Sequence, residues 1–179
     1  MPRSLLPLLT LLLLSRPTLL PAGGETVYQT PEAFLEQQFP DGVPEPDVVW
    51  LRGEVRETVK AILGHRYPSL RIRYWCEGGR SAWILEEIGK DLPITTGILV
   101  NAGRIEALRV LIFRESRGWE VRYEFFTDQF DQAELIEGRK LDRSIDNISG
   151  ATLSVRAVTK LARLALFLDG WVSARKVTD

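Results

Sequence analysis

Apolar and polar positions change their spacing along the chain, and the changes mark out its elements. Thr30-Pro31-Glu32-Ala33 predicts a helix start, with a Thr cap, Pro in the first turn and an acid beside it. That helix should end by Pro40, before a linker over 41–47 that holds Gly42, Pro44 and Pro46. Residues 25–29 read as a tether. From 48 to 63, Val49, Val55, Val59, Ile62 and Leu63 recur at helical spacing, with Gly64 placed to end the run. The period then falls to two. Leu70-Arg71-Ile72-Arg73-Tyr74-Trp75-Cys76 alternates as a half-exposed strand does. Three further strands are predicted from Ala82 to near Gly89, from Ile94 to Val100 and from Ile105 to Phe113. Gly78-Gly79 and Asn101-Ala102-Gly103 are turns short enough to require antiparallel neighbours. Residues 119–126 suggest a fifth short strand, Thr127 to Phe130 a helical turn, and 131–147 polar, irregular chain. Val155, Val158, Leu161, Ala162, Ala165 and Leu168 then line one broad helical face, with Arg156, Lys160 and Arg163 on the other. The expected class is α+β: an antiparallel sheet of about five strands, N-terminal helices, and a long C-terminal helix packed on the sheet.

The first 24 residues stand apart. Arg3 precedes an apolar run from Leu5 to Leu14, broken only by Pro7 and Thr10, and Ala22, Gly23 and Gly24 follow. This is the pattern of an export signal. The alternative is an uncleaved anchor, although the run falls short of the ~20 residues a bilayer span needs. Residues 25–179 then form one domain: a helical extension and first strand over 25–75, and a core over 80–168. Residues 1–24 hold two Arg and no acid, so the remainder has 21 basic and 24 acidic residues and a net charge of −3. No basic stripe points to nucleic acid. One Cys and one His in the chain argue against a disulfide and against a metal centre. Cys76 reads as a small apolar residue, and His65, after a helix-ending Gly, as an exposed loop residue without a role.

Asp146-Asn147-Ile148-Ser149-Gly150-Ala151-Thr152-Leu153-Ser154 carries the chemistry. A turn of small residues runs directly into an amphipathic helix. The first turn of a helix has unpaired N–H groups and a partial positive charge, and so attracts anions. Gly150 and Ala151 leave the backbone open, while Thr152 and Ser154 place hydroxyls beside it. On physics alone the same residues also serve as an ordinary helix cap.

The stretch from Asp146 to Thr152 resembles the flavinylation motif of the FMN-binding domain family, which includes flavin-carrying subunits of the sodium-pumping NADH:quinone reductase and of the Rnf complex. Thr152 stands where the family's threonine is esterified to the FMN phosphate by a flavin transferase that uses FAD. Ser149, Gly150 and Ala151 match the small residues before it, and Asp146 the leading acid. Phe113-Arg114-Glu115-Ser116-Arg117-Gly118 is similar to the family's H-x-E-T-P-G segment, with Phe113 in place of His and Arg117 in place of Pro. Phe125 to Phe130 is similar to its F-x-x-Q-F.

The resemblance implies FMN held covalently through its phosphate at Thr152, with Ser149, Gly150, Ala151, Ser154 and Asp146 around the attachment point. Glu115, Ser116 and Gly118 would lie along the flavin, unless Glu115 simply pairs with Arg114 or Arg117. Thr96 and Gly97 either pass the flavin, with Gly97 permitting close approach, or are plain strand residues. Trp75 and Trp83 either stack on the flavin ring or, the preferred reading, pack in the core. No nucleophilic triad or catalytic residue is found, so the chain reads as an exported, periplasmic electron carrier rather than a stand-alone catalyst. Its partners would be a flavin transferase for maturation and a membrane-bound or periplasmic electron donor or acceptor. The competing readings are a non-redox binding module and a substrate-reducing enzyme.

Overall fold

The computed structural model describes residues 24–137 and 139–176. The expected leader falls almost wholly outside them. Along the described residues the elements run β1 (Thr26–Val27), α1 (Pro31–Gln38), β2 (Asp47–Trp50), α2 (Gly53–Leu63), β3 (Arg71–Glu77), β4 (Arg80–Ile88), β5 (Pro93–Asn101), β6 (Arg104–Phe113), α3 (Glu124–Thr127), β7 (Leu135–Ile136), β8 (Lys140–Leu141) and α4 (Thr152–Lys176). Among these residues no helix is long and apolar enough to cross a membrane.

The class is α+β. Six strands form one sheet in the order β1-β6-β5-β4-β3-β2, and every neighbouring pair is antiparallel. The central meander β3 to β6 follows from the alternating pattern and its two tight turns. Both edge strands depart from expectation. The presumed tether at 25–29 contains β1, which pairs with the end of β6. Residues 48–50, assigned above to a helix, are extended in β2, and Val49 faces Ile72 across the ladder. The break comes at Arg52-Gly53, where Arg52 is extended (φ −129°) and Gly53 takes φ +52°. β2 is fastened to β3 by the Tyr74 hydroxyl, which donates to Asp47 Oδ2 at 2.8 Å. Burial and that carboxylate both push the Tyr74 phenol up.

The segment 119–126 is not a strand. Trp119–Arg122 is a 3₁₀ turn and α3 follows it. Its apolar residues sit at irregular intervals because Val121 and Phe126 are buried while Trp119 and Phe125 are exposed. The polar stretch after Asp131 holds the small β7–β8 hairpin.

Each face of the sheet has its own core. On one face, α4 and α2 cover a large cluster that includes Trp83, Ile94, Ile98, Leu108, Val158 and Leu161. Trp83 stacks on Tyr74 with ring centroids 4.9 Å apart. On the other face, Phe34, Leu35 and Phe39 of α1 and its C-cap pack on Ala82, Leu99 and Leu111. α4 runs about 37 Å, at 1.5 Å per residue, and its burial against β4, β5 and β6 fixes where its first residue lies.

Candidate functional site

The start of α4 is built by a tight turn. The Ala151 N–H donates to the Ile148 carbonyl at 2.9 Å, and Gly150 supplies φ +82°, a conformation that side chains disfavour. The Ala151 carbonyl accepts the first helical bond, from Val155 N–H at 2.9 Å. Ala151 is therefore the N-cap residue, and its methyl group has no oxygen to offer the first-turn amides. Thr152 is the first residue inside the helix, not the cap. Its Oγ1 accepts a hydrogen bond from Asn147 Nδ2 at 3.0 Å. The turn is tied down from behind. Gln129 Oε1 accepts the Asp146 N–H at 2.7 Å, while Phe126 and Phe130 meet edge to face in the core.

The loop after β6 crosses this turn. Gly118 has φ +89°, and a Cβ there would lie 2.4 Å from Ser154 Oγ and 3.5 Å from Ala151 Cα. Ser154 itself is buried. The loop and the helix start therefore touch backbone to side chain, with no room for a larger residue. Together they border a cavity of about 610 Å³, lined by Lys90, Ser116, Arg117, Gly150, Thr152 and Ser154. The volume lies within the usual 300–1,000 Å³ range of small-molecule sites. Lys90, Arg117 and a helix N-terminus whose alanine cap offers no side-chain oxygen share this cavity with the Glu115 carboxylate, and the two cations and the helix end favour a phosphate.

Thr152 also borders a second cavity, of about 510 Å³, which runs down α4 past Ile145, Val155, Arg156, Lys160 and Arg163. Lys160 Nζ reaches Glu87 Oε1 at 2.8 Å, and His65 Nε2 reaches Glu87 Oε2 at 2.9 Å. The Glu87 side chain is only 3% exposed. His65 Nδ1 lies 2.9 Å from the Arg66 carbonyl. Both neighbours of the ring, the Arg66 carbonyl and the Glu87 carboxylate, are hydrogen-bond acceptors. The ring is exposed, as expected of a loop residue, yet it ties the end of α2 to β4. Glu87 thus joins the α2–β3 loop, β4 and α4. Arg163 donates to the Arg139 carbonyl. Burial, and Arg139 nearby, lower the pKa of its guanidinium. Replacing Glu87 by alanine is expected to cost about 2 kcal/mol, less than the 3–5 typical of a fully buried broken pair because Lys160 and His65 reach water. Urea unfolding of the variant checks it. An unchanged midpoint would show that the carboxylate holds nothing.

A family model described as the FMN-binding domain matches residues 89–166. The chain carries an FMN-binding domain. FMN is the cofactor this domain takes, and the residues around α4 fit its phosphate. No curated protein and no solved structure matches the chain.

Within the FMN-binding domain the structure brings most of the residues singled out from sequence to one place. Ser149, Gly150, Ala151, Thr152 and Ser154 form the turn and first helical turn, and Ser116 and Gly118 lie against them. Asp146 is exposed and contributes its backbone N–H to the turn's anchorage. Glu115 borders the cavity, but its Oε1 accepts the N–H groups of Lys90, Asp91 and Leu92 and so shapes the β4–β5 turn. Arg114 pairs instead with Glu25 at 2.8 Å.

Thr96 and Gly97 lie elsewhere, buried within the sheet. A Cβ on Gly97 would come within 2.8 Å of the Phe34 ring, so the close neighbour that requires glycine there is α1. Thr96 Oγ1 is buried with no hydrogen-bond partner among the described residues. Asn147, Lys90, Arg117 and Gln129 were missed as site residues. Gln129 was visible within F-x-x-Q-F. Lys90 and Arg117 are ordinary surface cations until the fold sets them beside Thr152.

Proposed function

We propose that FMN is linked to this protein by a phosphoester at Thr152, and that the flavinylated protein carries electrons in an exported compartment. The observation that carries this reading is the construction of the α4 start. A threonine hydroxyl stands at an N-terminus capped by alanine, held by Asn147 and bordered by a cavity containing Lys90 and Arg117. A cap residue alone would sit one position earlier and would spend its oxygen on the helix amides.

In the proposed attachment, the Thr152 oxygen attacks the FMN-side phosphorus of FAD. The pyrophosphate bond breaks, AMP leaves, and the hydroxyl proton passes to solvent or to the transferase. The Asn147 amide fixes the direction of the oxygen. Lys90, Arg117 and the α4 amides neutralise the phosphate. Bound FMN supplies the electron-transfer chemistry. The chain supplies a permanent address, which suits a compartment reached through the expected N-terminal signal. Electrons would come from, or pass to, a membrane-bound or periplasmic partner.

The test is to co-express the protein with an exported flavin transferase, digest it, and weigh the peptide containing Thr152. The expected result is a peptide heavier by FMN less one water, with the colour retained by the denatured chain. An unmodified peptide, with flavin released on denaturation, would leave FMN binding intact but remove the covalent link.

A further inference from the structure

We propose that the cavity on the α1 side of the sheet, remote from Thr152, binds a small organic dianion. It is the open end of a sheet face that α1 covers only in part. Its volume is about 770 Å³, and Leu35 of α1, Arg71, Arg73 and Trp75 of β3, and Ile84 of β4 line it. Arg71, Arg73 and Trp75 follow at intervals of two along β3, so all three side chains project to this face, while Ile72 and Tyr74 enter the opposite core. Successive members of such a row stand about 7 Å apart.

Two other arginines at the sheet are held in ion pairs. Arg80 pairs with Glu106 at 2.8 Å, and Arg114 with Glu25 at 2.8 Å. Among the described residues, no ion pair or hydrogen bond engages the guanidinium of Arg71 or Arg73. Arg71 and Arg73 are the two basic residues among those lining the cavity. Glu32 is the one carboxylate among the residues lining the cavity. The Tyr67 phenol on its wall, pushed up to about 12 by burial, stays neutral.

Two unpaired guanidinium groups each suit one carboxylate, since planar forks and carboxylates bond edge to edge. Trp75, Leu35 and Ile84 suit an apolar or planar body between them. The size fits a single small molecule.

The experiment titrates the purified protein calorimetrically with isophthalate, at fixed ionic strength because exposed charges are screened by salt. Saturable binding is expected, and none for neutral benzamide. Arg71→Gln/Arg73→Gln should weaken isophthalate binding about tenfold or more, the loss expected for charged contacts worth over 1.4 kcal/mol. Both side chains are exposed, so the variant should unfold at nearly the parent temperature. Glu32→Gln is a second probe that leaves the strand intact. Removing the opposing charge should tighten binding about threefold. Failure of isophthalate to saturate, or equal affinity in all three proteins, would overturn the proposal. So would binding of a poly-glutamate peptide in its place, which would mark the face as a contact for an acidic protein. None of these outcomes depends on the state of Thr152.

Discussion

Replacing Thr152 by alanine is expected to give a folded protein that keeps no flavin after denaturation. The side chain is only partly buried, and its Oγ1 bonds a single exposed amide, that of Asn147. Alanine is also the best helix former, so the helix loses little: a change within about 0.5 kcal/mol. The chemical consequence is complete by contrast, because no other atom can take the place of the lost oxygen at that position. Ser149 is in the exposed turn and Ser154 is buried beneath Gly118. The measurement is in-gel flavin fluorescence after denaturing electrophoresis, with Thr152→Ser as the control that restores a hydroxyl. Fluorescence persisting in the alanine variant would place the link on another residue.

Gly118→Ala is expected to be the most damaging small substitution near the site. Two costs combine. A non-glycine residue at φ +89° is strained by about 1–3 kcal/mol. The new methyl would also stand 2.4 Å from Ser154 Oγ and 3.2 Å from its Cβ, and overpacking of that kind costs about 1–3 kcal/mol. A total loss of about 2–6 kcal/mol is expected, with reduced FMN incorporation, because the loop must lift from the start of α4. A double-mutant cycle separates the causes. In a Ser154→Ala background the packing part should shrink, by about 1 kcal/mol, while the backbone strain remains. Equal losses in both backgrounds would show that the contact with Ser154 is not responsible.

Much of the fold was legible because it rests on local periodicity. The alternation in 70–76 marked one strand, the apolar runs beginning at Ala82, Ile94 and Ile105 marked three more, and the short turns at 78–79 and 101–103 implied antiparallel neighbours. The elements that were misread are those whose conformation is set from outside. β1 is two residues long and extended only because β6 offers it an edge. β2 borrowed the helical spacing of the residues after it, and only its pairing with β3 shows Val49 to be a strand residue. Trp119–Arg122 coils so that Val121 can enter the core, which no alternation could announce.

The site divides the same way. A turn of small residues before an amphipathic helix reads from sequence as an anion site or an ordinary cap, and the resemblance of Asp146 to Thr152 to the flavinylation motif is what singles out Thr152. The surroundings of that hydroxyl are set by residues distant in the chain. Gln129 holds the turn from 17 positions upstream, and Gly118 presses on Ser154 from 36 positions upstream. The same non-locality separates Gly97 from the site, since the ring it accommodates belongs to α1. Sequence by itself determined the antiparallel meander, the long final helix and the threonine at its start. Only the tertiary structure decided which cations, amides and glycines meet that threonine, since a side chain's partners depend on how sheet and helices pack and not on the order of residues in the chain.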